Sequence, residues 1–393
     1  MSASRTAVPA RPHMTSLMYS LPVRRLKEIL SHVIPGVQLG PVEELSSPQL
    51  PRLYKLHMSD DRNLLLSFAP SLAVRLLRQE ATLLSSEATL VYFITDSERK
   101  NETETASQNK IWSPEPTILS QVVPKLIKHS ADLREMAYPY SIFELGTGEP
   151  LSTLSIHLSI SERRGVDKQI GAMARALATL TSPSGTFGTV SLVIPYLNNT
   201  GSATAPRIQR GGSSTWSEAV NTLVEGILRD GEDISVLLPY ETIRAHYQRS
   251  SWRLDAVTLP RLAVLDIGSE TNIMVSGDTE DTSSPRLTGL RSWSLGVFGD
   301  PLIADAFDNP SDGFLEGWNS TCSSSIIEDE ENAAIRLLLY RCYRAVVSIV
   351  TEHYRPQVNS SRRELEERRK LTSVLAELER VDAVVGDALK MSG

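Results

Sequence analysis

The sequence is short of cysteine, of long apolar runs and of surplus positive charge, and each shortage removes a class of protein. Two cysteines among 393 residues, Cys322 and Cys342, make neither a disulfide framework nor a zinc set. Both fall near a helical stretch, where a thiol serves as a small buried hydrophobe. No apolar run approaches the ~20 residues that span a bilayer. The opening MSASRTAVPARPHMTSLMYSLPVRR has no sustained apolar core behind its first arginine, so no signal peptide is expected. The expectation is an intracellular, cytoplasmic protein with no membrane association. Lysine plus arginine number 40 against 47 aspartate plus glutamate, a formal charge of −7. Binding to nucleic acid needs concentrated positive charge, so none is expected. What remains is ordinary globular composition, 41% hydrophobic and 22% charged, in a chain long enough for two lobes with cores of their own.

Patterning divides the chain. Residues 1–20 read as a disordered tail, followed by a short helix over Val23–Ile34. Two apolar runs, Leu53–Met58 and Asn63–Ala69, flank Ser59-Asp60-Asp61-Arg62, which is a hairpin signal. In the first run, alternation puts Leu53, Lys55 and His57 on one face. Leu76, Leu77, Leu83, Leu84 and Leu90 predict a helix from Ala73 to about Phe93. Residues 97–115 are polar and read as a loop. Pro116–Glu135 reads as helical, interrupted at Pro124. Ser141–Leu145 is a short strand, broken by Gly146-Thr147-Gly148-Glu149-Pro150, the candidate hinge between lobes.

Beyond the hinge the chain is helix-rich. Asp167 is placed to cap a helix running to Leu180. Thr215 and Glu218 form a capping-box pattern before a helix that Gly231 ends. Leu262–Leu265, Ile273–Val275 and Leu287–Leu290 are short strands, and two long helices, about Glu330–Tyr354 and Arg362–Met391, close the chain. The fold class is α+β and bilobal, with a small strand-rich lobe over 21–148 and a larger helical lobe over 149–393.

Two segments carry a family resemblance. One is Leu262-Ala-Val-Leu-Asp266-Ile-Gly-Ser-Glu-Thr-Asn272-Ile-Met-Val275. The other runs from Leu287 through Ser292-Trp293 to Gly299-Asp300-Pro301 and Asp305. They resemble the catalytic-loop and metal-site segments of the aminoglycoside phosphotransferase-like family, especially its fungal members, which have a protein-kinase-like fold. Upstream, the hairpin ending Asn63-Leu-Leu-Leu-Ser67, then Arg75–Glu80 and Ser86-Glu87-Ala88, resemble the segments around that family's nucleotide-holding lysine and its glutamate partner. The resemblance spans about residues 35–320 in unchanged order.

It implies transfer of a phosphoryl group from ATP, with Mg²⁺, to a small metabolite. Such chemistry needs positioned phosphates, a neutralising metal and a carboxylate that orients the attacking hydroxyl. By resemblance Asp266 is that carboxylate, Asn272 a magnesium ligand through its amide oxygen, and Glu87 the anchor of the phosphate-holding lysine. This chain departs from the pattern. Ser67 stands where the lysine belongs and Ser292 where the chief metal-binding aspartate belongs. Val264 replaces a histidine, Asp266 and Asn272 are one residue further apart than the pattern has them, and the segment from Leu39 to Leu53 has only Gly40 where a phosphate-wrapping loop needs several glycines.

Lys55, on the neighbouring strand, is the candidate substitute cation for the nucleotide, or else a solvated strand lysine. Arg291 either contacts an anionic ligand or makes a surface salt bridge. Asp300 caps or ties its loop rather than binding metal. Trp216, Tyr240, Tyr247 and Trp252 line an acceptor pocket or belong to the core. Two functions stay open: a small-molecule phosphotransferase, and a pseudokinase that holds a ligand or partner without transferring phosphate. A third keeps Asp266 as acid or base for another reaction. Fold alone does not decide among them.

Overall fold

The computed structural model describes residues 21–45, 50–71, 74–107, 117–194, 211–276, 285–320 and 325–391. The expected tail over 1–20 and Cys322 lie outside the described residues.

Strands β1 (Leu39–Leu45), β2 (Arg52–Met58), β3 (Asn63–Phe68), β4 (Leu126–Ser130) and β5 (Tyr140–Glu144) form an antiparallel sheet ordered β1-β2-β3-β5-β4. Alternation sends Tyr54, Leu56, Met58, Leu64, Leu66, Phe68, Tyr140 and Ile142 to one face. Helix α1 (Val23–Val33) covers that face with Leu26, Ile29 and Leu30, which recur at helical spacing and are buried. The other face carries two cross-strand rows, Leu53–Ser67–Ser141 and Lys55–Leu65–Phe143. Helix α2 (Leu83–Ser107) packs against β4 and β5. This lobe therefore has two working surfaces, one closed by α1 and one turned toward the rest of the chain.

The larger lobe begins after the hinge. It contains β6 (Glu149–Pro150), β7 (Gly188–Thr189), β8 (Arg261–Val264), β9 (Ile273–Ser276), β10 (Arg286–Leu290) and β11 (Gly296–Gly299), in two small sheets ordered β10-β9-β6 and β7-β11-β8. Its helices, after α3 (Ile118–Val122), are α4 (Leu151–Leu154), α5 (Ile160–Thr179), α6 (Val190–Val193), α7 (Trp216–Asp233), α8 (Tyr240–Arg249), α9 (Ser251–Asp255), α10 (Asp312–Trp318), α11 (Glu330–Tyr354) and α12 (Ser360–Met391). The core runs from Leu90 and Phe143 through α5, α7 and α11 to Leu378. No described helix is long and apolar enough to cross a membrane.

Several local expectations are corrected. The helix read over Ala73–Phe93 starts only at Leu83. Before it, Arg78 N–H bonds the Asp230 carboxylate at 2.9 Å, and Arg355 grips Glu80 at 2.6 Å, so contacts to the large lobe hold that stretch in turns. The helix then continues to Ser107, through the segment read as a loop; residues 108–116 lie outside the described residues. Pro124, which has no N–H to donate, follows the end of α3, and the chain goes on as β4 paired to β5 rather than as helix. Ser159, not Asp167, caps α5, in a capping box with Glu162; Asp167 sits mid-helix between Arg163 and Ser311. Thr215 caps α7, but the Glu218 carboxylate reaches back to Ser214 N–H, and the helix continues past Gly231 to Asp233. The runs at 262–265 and 273–275 are strands of different sheets.

Candidate functional site

A cavity of about 570 Å³ lies between the open face of the first sheet, the hinge, and strands β9 and β10. Leu53, Leu65 and Phe143 line it from the first sheet, and Met274 and Leu290 from the larger lobe. Segment 145–150, the candidate hinge, forms one wall. Gly148 there has φ +108, and a Cβ on it would fall 2.6 Å from Val275 O, so this turn against β9 needs glycine.

Glu87 borders the cavity and is buried. Its carboxylate accepts the Ser67 hydroxyl at 3.3 Å and Trp293 N–H at 3.0 Å, with the Ser292 side chain also against it. Burial raises its pKa, and these neutral donors only partly oppose the rise. Ser67 and Ser292 are buried too. The two serines singled out as departures therefore meet on the same carboxylate.

Asn272 is also buried, and its amide is committed to Ser292. The amide oxygen accepts Ser292 N–H at 2.9 Å, and the amide nitrogen donates to Ser292 O at 3.1 Å. The donor set does not suit magnesium: the expected carboxylate is a serine hydroxyl, and the expected amide oxygen already serves the backbone. Among the described residues no group of three acidic, histidine or cysteine side chains is placed to hold a metal ion.

Asp266 follows β8, apart from the cavity lining. Its Oδ1 is buried without a hydrogen-bond partner. Burial, then the Asp305 carboxylate, then Glu87, push its pKa up to about 7. Asp305 accepts Gly268 N–H at 2.6 Å and donates its own N–H to Leu265 O at 2.9 Å, clasping the loop that carries Asp266; burial moves its pKa to about 6. This clasp was not read from the sequence, where Asp305 appeared only as the end of a motif.

Lys55 and Arg291 both line the cavity, from opposite lobes. Both are half-buried, and neither makes an ion pair or a side-chain hydrogen bond among the described residues. Desolvation lowers the pKa of Arg291. The surface salt bridge considered for Arg291 does not form with any described residue. Asp300 is a structural residue: it caps Leu302 N–H at 3.1 Å and takes Arg336 Nε at 2.7 Å and Tyr340 Oη at 2.9 Å, all buried. Gly299 beside it would put a Cβ 2.2 Å from the Trp216 ring, so the glycine admits that indole. Trp216 and Tyr247 are core, Tyr240 is partly buried against it and donates its hydroxyl to Val236 O at 2.6 Å, and Trp252 is 55% exposed under the Arg253 guanidinium; none of the four lines this cavity.

A strand-rich lobe, a helical lobe and a glutamate reaching from α2 to β3 define a protein-kinase-like fold. Solved structures agree. A protein assigned as a fructosamine-3-kinase from Thermobifida fusca YX-ER1 superposes with a TM-score of 0.55 at 13% identity, over 90% of this chain and 98% of its own. One assigned as an aminoglycoside phosphotransferase from Ralstonia eutropha JMP134 gives 0.55 at 11%, over 91% and 98%. Aminoglycoside 2'-phosphotransferase-IIIa, in its GDP complex, gives 0.51 at 12%, over 91% and 99%. At such identities the likeness is one of fold. No family model and no curated relative matches by sequence.

Proposed function

We propose that this chain is a degenerate small-molecule kinase homologue, a pseudokinase whose inter-lobe cleft holds a small ligand without magnesium-dependent phosphoryl transfer from ATP. One observation carries the reading: Glu87 is buried between Ser67 and Ser292 with no cation on it among the described residues. A kinase-like site needs that glutamate to hold a lysine on the phosphates and needs a carboxylate for the metal. Removing one electrostatic contributor from a transfer site costs ~10²–10³ in rate. Removing two costs more, though not as a product. The commitment of Asn272 to Ser292 works in the same direction.

The test is a thermal-shift titration with millimolar ATP, with and without Mg²⁺. The expected result is no stabilisation that depends on the metal; a magnesium-dependent shift opposes the reading.

A second reading, a surviving phosphotransferase, is favoured by Asp266. A carboxyl with an unpartnered oxygen and a pKa near 7 suits proton transfer. If ATP is consumed, Asp266→Ala abolishes turnover and leaves the fold intact.

A further inference from the structure

The cleft is mostly apolar, yet two cations face it without counter-charges among the described residues. Lys55 enters from β2, and Arg291 follows β10. A third lining cation, Lys125, is neutralised by Glu144 at 2.9 Å. Of the lining acids, Glu149 is exposed, and Glu87 is taken up by Ser67 and Trp293. Half-buried charges are ordinarily paired, because an unpaired one loses hydration for nothing in return. The volume, about 570 Å³, is that of a site for a small organic molecule.

We propose that the cleft binds, without metal, an organic anion with an apolar body, its carboxylate, sulfonate or phosphate group held by Lys55 and Arg291. This rests on the reading of the cleft as a ligand site that has lost transfer chemistry, and names the ligand class. Two cations match one mono- or dianionic group. A triphosphate carries more charge and relies on a metal, for which the residues present do not fit. The guanidinium offers a planar fork to the anion's oxygens and the ammonium a point charge. Leu53, Phe143, Met274 and Leu290 enclose the apolar part.

The full chain is titrated in EDTA with 8-anilinonaphthalene-1-sulfonate, an apolar monoanion that fluoresces in dry cavities, and in parallel with neutral N-phenyl-1-naphthylamine. The expected result is saturable binding of the sulfonate, unchanged by Mg²⁺. Lys55→Met and Arg291→Met each weaken it by roughly ten- to a hundredfold, the range for hydrogen bonds to charged groups. Lys370→Met, on α12 outside the cleft, leaves it unchanged, and the neutral probe is insensitive to all three. Equal sulfonate affinity in wild type and both variants, equal weakening of both probes, or no saturable binding overturns the proposal. Should either variant fail to fold, salt replaces it: raising NaCl from about 0.05 to about 0.5 M weakens the sulfonate and not the neutral probe in wild type, and equal salt responses overturn the proposal. ATP consumption by wild type would defeat the pseudokinase reading while leaving these affinities standing, so the two failures are distinct.

Discussion

The Ser67 hydroxyl donates to the Glu87 carboxylate across 3.3 Å, at the point where β3 faces α2. Both residues are buried, and a backbone N–H from the far lobe, Trp293, also donates to that carboxylate. A carboxylate in such a place, with no cation, is driven toward its protonated form. Glu87 is thereby a buried hydrogen-bonding tie between the lobes, its pKa raised by burial.

Replacing Glu87 with glutamine keeps the shape and removes the titration. Because its folded pKa is raised, the stability contributed by Glu87 is present at low pH and lost as pH rises through the folded pKa. Relative to wild type, Glu87→Gln is therefore expected to gain stability as pH rises from about 4 to about 8 in urea denaturation. Glu87→Ala, which strands Trp293 N–H, is expected to cost about 1–3 kcal/mol at both pH values.

Asp266 predicts a wider pH effect. Its pKa rises from 3.8 to about 7, so its contribution is complete below about pH 4 and gone above about pH 7. Between pH 5 and pH 8 the wild type should lose roughly 1–3 kcal/mol through this group, at about 1.4 kcal/mol per pKa unit. Asp266→Asn flattens that slope, and Asp305, raised to about 6, leaves a smaller residue of it. A slope unchanged in Asp266→Asn contradicts the assignment.

Asp300 is expected to matter for folding. Asp300→Ala leaves the fully buried Arg336 without its 2.7 Å partner. The cost is toward the lower end of the ~3–5 kcal/mol for breaking a buried pair, because Asp329 still pairs Arg336 at 3.2 Å. It is measured as a fall in denaturation midpoint, with Asp300→Asn intermediate because it still accepts hydrogen bonds.

Restoring charge should restore a nucleotide response. In the double variant S67K/S292D, the lysine supplies Glu87 with a cation and the aspartate supplies a hard oxygen ligand. Calorimetry is expected to show ATP binding that strengthens with Mg²⁺ in the variant. An unresponsive, well-folded variant would mean that these two positions are not what limits nucleotide binding.

Much of the architecture was legible because alternation and motif order are local signals. The hairpin around Asp61, the row holding Lys55, the strands flanking Asp266 and the two closing helices all follow from them. The fold class was readable from several segments in unchanged order. What was not legible depends on partners far along the chain. The Arg78–Asp230 and Glu80–Arg355 contacts, which delay α2 to Leu83, join residues 152 and 275 positions apart. The strand after Pro124 needed β5 to define it. Ser67 and Ser292 were visible as departures, but their meeting on Glu87 was not, since Trp293 bonds Glu87 across 206 positions. The missing counter-charge of Arg291 is likewise a property of the packed cleft.

The most direct test is release of ADP by the wild-type chain in millimolar ATP and Mg²⁺, followed against an Asp266→Ala control. The account predicts no ADP above that control. Steady ADP release that the substitution abolishes would contradict it.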